Sequence, residues 1–95
     1  MDNFILARKL IQTMDYITNV YKAQGFNIST IDEGPITIWV ERGKTHFSMS
    51  LMTMDHEPVI KVVIAMSDRY LEYFDAEAKV DDIIDWLMEH TKVKF

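Results

Sequence analysis

The side chains able to do acid–base or metal chemistry are few and scattered along the chain. Three histidines, His46, His56 and His90, fall in a strand-like stretch, a turn and a helix end. Asp55-His56-Glu57 offers three ligand types in a row. Three adjacent side chains rarely converge on one ion, however, and polar residues belong at a turn in any case. There is no cysteine, which excludes disulfides, thiolate metal sites and thiol nucleophiles. Glycine-rich phosphate loops, GxSxG and HExxH are absent from the sequence, and no nucleophile, base and orienting group can be assembled. The reading is therefore a non-enzyme, with no catalytic, cofactor-binding or metal-ligating residue and no cofactor.

Charge is the stronger signal. Glu77, Asp81, Asp85 and Glu89 recur every fourth residue, with Asp82 beside them. On a helix these form a ridge in which each like-charge contact is unfavourable by about 0.2–0.5 kcal/mol. Residues 68–90 hold eight acids and two bases, a net of −6, within a chain whose total is −5. That balance argues against direct binding of nucleic acid. A ridge of this kind either keeps a small protein soluble or docks on a basic partner.

The elements that must position these residues can be read from periodicity. Ninety-five residues, 48% hydrophobic and 26% charged, fit one globular domain spanning residues 1–95. Asp2 can cap a helix over 2–24, whose core stripe is Ala7, Leu10, Ile11, Met14, Ile17 and Tyr21, with Gly25 as its stop. Turn signals at 33–35, 42–43 and 55–58 divide residues 26–67 into four strands. A turn at Arg42-Gly43 would set Glu41 opposite Lys44 and Ile38 opposite Phe47. A four-residue loop at 55–58 would set Leu51 opposite Val62 and Met49 opposite Ile64. Ile38, Phe47, Leu51, Val62 and Ile64 then share the core face. Residues 67–74 read as an aromatic-rich connection. Asp75 is expected to cap a second helix over 75–91, with Val80, Ile83, Ile84, Leu87, Met88 and Thr91 as its apolar stripe. The expected fold class is α+β. It is a two-layer sandwich of helix, four-stranded antiparallel meander and helix, with both helices on one face of the sheet.

The same register exposes a second surface. Trp39, His46, Ser48, Ser50, Met52, Met54, Val59, Lys61, Val63 and Ala65 lie on the outer sheet face, which is unusually apolar for a solvated one. Either residues 67–74 fold across it or it is a contact site, for which methionines are well suited. Trp86 sits off the second helix's stripe, where it packs on the sheet margin or anchors a contact.

The functional expectation is a small protein-binding inhibitor or regulator in the cytoplasm. Its partner-binding residues are Glu77, Asp81, Asp82, Asp85 and Glu89 together with Trp39, Met52, Met54 and Val63. The partner is another protein with a basic, nucleic-acid-binding surface, and no membrane segment is visible. The alternative is a homodimeric structural or chaperone-like module pairing through the outer sheet face. A pocketed enzyme or small-ligand binder forms a third class, for which the inward positions supply almost no polar groups. A helix–meander–helix order is shared by secretion chaperones, small phage proteins and immunity proteins, and no residue motif selects among them.

Overall fold

A computed structural model describes residues 2–31, 34–64 and 70–93. Helix α1 (Asn3–Ala23) is followed by strands β1 (Asn27–Ile31), β2 (Thr37–Arg42), β3 (Thr45–Met54), β4 (Glu57–Ile64) and β5 (Leu71–Phe74), and then by helix α2 (Val80–Thr91). The strands form one antiparallel sheet in the order β1-β2-β3-β4-β5. The fold is α+β.

α1 begins as expected, with the Asp2 carboxylate accepting from the Phe4 N–H at 2.8 Å. Its end is a Schellman motif. Gly25 takes φ +88°, its N–H donates to the Lys22 carbonyl, and the Phe26 N–H donates to the Tyr21 carbonyl. Both bonds satisfy carbonyls that a helix end otherwise leaves open. The hydrophobic contact that accompanies this motif is Tyr21 on Phe26, with ring centroids 5.0 Å apart.

Two hairpin turns depart from expectation, the first displaced by one residue at the same length and the second two residues shorter, and each shifts its register by two residues. Gly43, at φ +62°, is the first central residue of a Gly43-Lys44 turn rather than the second of Arg42-Gly43. Glu41 therefore faces His46, not Lys44, and Val40 faces Phe47. Asp55 and His56 both have positive φ, the signature of a two-residue type I′ turn. Leu51 consequently pairs with Ile60 and Met49 with Val62. A shift of two leaves every side chain on its expected face.

Two further expectations are corrected. The sheet has five strands, not four: residues 71–74 pair with β4 instead of forming a connection, and Phe74 lies opposite Ile60. The stretch 65–69 lies outside the described residues. α2 also starts at Val80 rather than 75. The Asp75 carboxylate accepts from the Glu77 N–H at 3.0 Å and the Asp75 carbonyl from the Ala78 N–H at 3.1 Å. This local turn uses the aspartate before the helix begins, and Lys79 occupies the N-cap without a side-chain bond.

Leu10, Met14, Ile17 and Tyr21 of α1, Ile83 and Leu87 of α2, and Ile38, Val40, Phe47, Met49, Ile60, Val62 and Ile64 of the sheet form one buried cluster. Leu51 is only half-buried at its margin, a departure from its expected place in the core.

Two outcomes are expected from this packing. Phe47→Ala should destabilise by about 3–5 kcal/mol and Leu51→Ala by less, at or below about 2 kcal/mol, in urea titrations. Burial pushes the Tyr21 phenol from 10.0 up to about 12. Its native state therefore holds the proton more tightly than the unfolded chain does. That contribution is full below about pH 10 and is lost as pH rises through the folded value. The wild-type urea midpoint should fall between pH 10 and 12, and the fall should be smaller in Tyr21→Phe.

Candidate functional site

The acidic helix is the first surface. Asp81, Asp82, Asp85 and Glu89 are all exposed on α2, and among the described residues none has an ion-pair partner. Glu77 is exposed as well, but it belongs to the turn before the helix. The four-membered ridge expected from its spacing is thus reduced to Asp81, Asp85 and Glu89, with Asp82 alongside. The helix's own electrostatics account for half of it. Asp81 and Asp82 stand in the first turn, where negative charge suits the dipole. Asp85 and Glu89 gain nothing of this kind, and Glu89 lies near the end where the carbonyls already concentrate negative potential.

Beside the ridge runs an aromatic series that the sequence does not announce. Trp86 meets Phe74 edge-on at 5.9 Å and stacks on His90 at 4.3 Å with planes 27° apart. Tyr70 approaches His90 at 5.7 Å. The His90 Nδ1 lies 2.8 Å from the Trp86 carbonyl, so it donates there and the ring is held against the helix. Trp86 packs on the sheet margin rather than standing free as an anchor. The i, i+4 spacing of Trp86 and His90 was the available signal, but their partners Phe74 and Tyr70 lie on β5 and just before it, a strand absent from the expected fold.

The outer sheet face is the second surface. Trp39 faces Ser48, which faces Val63, which faces Leu71. Trp39, Met52, Met54 and Val63 are half-buried, as are His46, Ser50 and Lys61, while Val59 and Ser48 are buried. Ala65 lies outside the described residues. The indole N–H of Trp39 is buried with no acceptor among the described residues, an arrangement that costs about 1–3 kcal/mol. Residues 70–74 do not fold across this face. Tyr70 turns to α2, Phe74 lies on the core side, and Tyr73 extends the outer face at its margin.

Two hollows of the described surface are lined in part by titratable side chains. One of about 190 Å³ is lined by the apolar Leu6, Pro58 and Ala76 and the charged Lys9, Glu57, Asp75 and Glu77. Another of about 280 Å³ lies by Tyr70, Glu89, His90 and Lys92. Both are smaller than typical ligand pockets. Among the described residues no three His, Asp or Glu side chains are placed to hold a metal ion. No described helix is long and apolar enough to cross a membrane.

Comparison with protein-family models, with curated proteins and with solved structures gives no match.

If the outer face carries no part of the chain's own core, Met52→Glu combined with Val63→Lys should leave the fold intact. Circular dichroism should be unchanged and the urea midpoint should report a loss of no more than about 1 kcal/mol. Cooperative unfolding of the double variant at neutral pH would show that the face is covered.

Proposed function

We propose that this chain is a small non-enzymatic protein that binds another protein through the acidic face of α2, acting as an inhibitor or regulator of the kind used by phages and immunity systems. The partner surface is basic, of the sort that also binds nucleic acid, and the acidic helix occupies it. The observation that carries this reading is the row of exposed carboxylates on α2, Asp81, Asp82, Asp85 and Glu89, held without ion-pair partners among the described residues. Asp85 and Glu89 repel one another at a spacing that the helix does not need. The reading also takes both helices to lie on one face of the sheet, which the shared core of Leu10, Ile17, Ile83 and Leu87 supports.

Charge reversal tests it. Asp81→Lys with Asp85→Lys gives Glu89 a favourable i, i+4 neighbour but sets two cations at i, i+4 with one of them in the first turn, so the helix should stay folded and lose no more than about 1 kcal/mol. Immobilised wild-type protein should capture a basic partner from the source proteome, and the double variant should lose it chiefly through a slower on-rate. The difference should shrink as salt rises, because exposed charges more than about 8 Å apart are screened near physiological ionic strength. Equal affinities of the two proteins at low salt would remove the ridge from the mechanism.

A further inference from the structure

The sheet has two open edges, β1 and β5, and they are finished differently. The phase of the ladder shows which backbone groups each presents. The Leu51 N–H donates to the Ile36 carbonyl at 2.9 Å, so the backbone of Ile36 faces β3. Alternation then turns Thr37, Trp39 and Glu41 toward β1. Their partners there are Ile31, Ser29 and Asn27. The N–H and C=O groups of Ile28 and Thr30 are left directed outward from the sheet.

At the other edge the Ile64 N–H donates to the Tyr70 carbonyl at 2.9 Å. By the same alternation, Leu71 and Tyr73 point outward from β5. Here the chain closes its own edge: the Tyr73 N–H donates to the Glu72 carboxylate at 3.0 Å. A charged side chain sits where an added strand would have to bond. This is one of the devices by which proteins protect sheet edges.

β1 carries none of these devices. Asn27-Ile28-Ser29-Thr30-Ile31 has no charge and no proline, and its register with β2 is unbroken. Every residue but Ile28 is exposed, with Ile31 at 42%. We infer that β1 is the edge at which a second copy of this chain adds, antiparallel to the first, to make one continuous ten-stranded sheet. A two-fold axis through Ser29 uses all four free groups of each strand. Ile28 of one copy exchanges two bonds with Thr30 of the other, and the symmetric pair exchanges two more. Ser29 then faces Ser29 of the second copy as a non-hydrogen-bonded pair, and Ile31 of each copy faces Asn27. The even register keeps Ile28 and Thr30 of both copies on the core side of the common sheet.

Charge favours a second copy as the occupant. Each chain is net −5, with residues 68–90 at −6 and the remaining residues at +1. α2 lies on the β5 side, tied there by Phe74–Trp86 and Tyr70–His90. Residues 24–31 hold no charged side chain at all. Joined at β1, two copies meet where neither is charged. Their acidic helices stand apart by most of two sheet widths, about 19 Å each at a strand spacing near 4.8 Å, well beyond the Debye length.

The absence of cysteine makes the test direct. In a non-hydrogen-bonded pair the Cα atoms lie about 4.5 Å apart, within disulfide range. Under mild oxidation the Ser29→Cys variant should cross-link to a covalent dimer at least about tenfold faster than Tyr73→Cys at the other edge, because only paired thiols stay in reach. By light scattering, the wild type should rise from 11.2 kDa toward twice that mass with increasing concentration. Thr30→Pro removes one outward N–H and leaves the β1–β2 ladder untouched, so it should stay monomeric with an unchanged circular dichroism spectrum. If that variant unfolds, Thr30→Lys, which charges the edge, decides in its place. A wild type that stays at 11.2 kDa at every concentration, equal cross-linking of the two cysteine variants, or a dimer that persists in the folded edge variant would each overturn the inference.

Discussion

The contact of Tyr21 with Phe26 and Phe47 is the point on which the rest of the molecule turns. Tyr21 ends the buried stripe of α1, and its ring meets Phe26 and Phe47 edge-to-face at 5.0 and 4.8 Å, a geometry favourable beyond the area it buries. Phe47 belongs to the middle strand of the sheet, and Phe26 immediately precedes the strand that follows the helix. Once the Schellman turn places Phe26 under Tyr21, alternation puts Ile28 on the core side and exposes Asn27 and Ser29. Arg42 closes the corner from outside. Its guanidinium lies 4.3 Å from the Phe26 ring centroid and donates to the Gln24 carbonyl at the helix end, where a cation is favoured by both the ring face and the helix dipole.

Face and register were unequally legible in the sequence. Ile38, Val40, Phe47, Met49, Val62 and Ile64 fall on the core face as their alternation requires. The pairs they form are displaced by two residues, because a two-residue shift moves no side chain between faces and the apolar pattern therefore does not resist it. Turn chemistry decides instead, and Asp55-His56 is a pair that forms a type I′ turn without the glycine that usually marks one. β5 was hidden for a different reason. Leu71-Glu72-Tyr73-Phe74 is a short edge strand whose core-side positions are Glu72 and Phe74, and an exposed glutamate on that side breaks the expected alternation. Asp75 has the right chemistry for a helix cap, but its carboxylate is spent on a turn that precedes the helix.

That correction changes the acidic surface. Moving the start of α2 to Val80 places Asp81 and Asp82 in its first turn, where they offset a helix N-terminus that Lys79 leaves without a side-chain bond. They therefore support the helix as well as charge it. Asp85 and Glu89 supply charge without that return. On the candidate surface, exposure and spacing were legible from the sequence for Asp81, Asp82, Asp85 and Glu89. The aromatic packing of Trp86 was not, because it depends on β5.

The connectivity of the sheet has a consequence for how the chain is made. Every strand pairs with its neighbour in sequence, so the sheet can grow hairpin by hairpin through local contacts, which favours rapid folding. α1 is the exception. It packs chiefly on β4, with β1, β2 and β3 lying between them in the chain, and its Asn3 amide bonds to the His56 carbonyl in the turn that leads into β4. During synthesis the helix therefore leaves the ribosome before the sheet and waits longest for its binding surface. Until β4 emerges, Leu10, Met14 and Ile17 lack the strand on which the helix chiefly packs, and the nascent chain carries an incompletely covered apolar stripe on which chaperones can act.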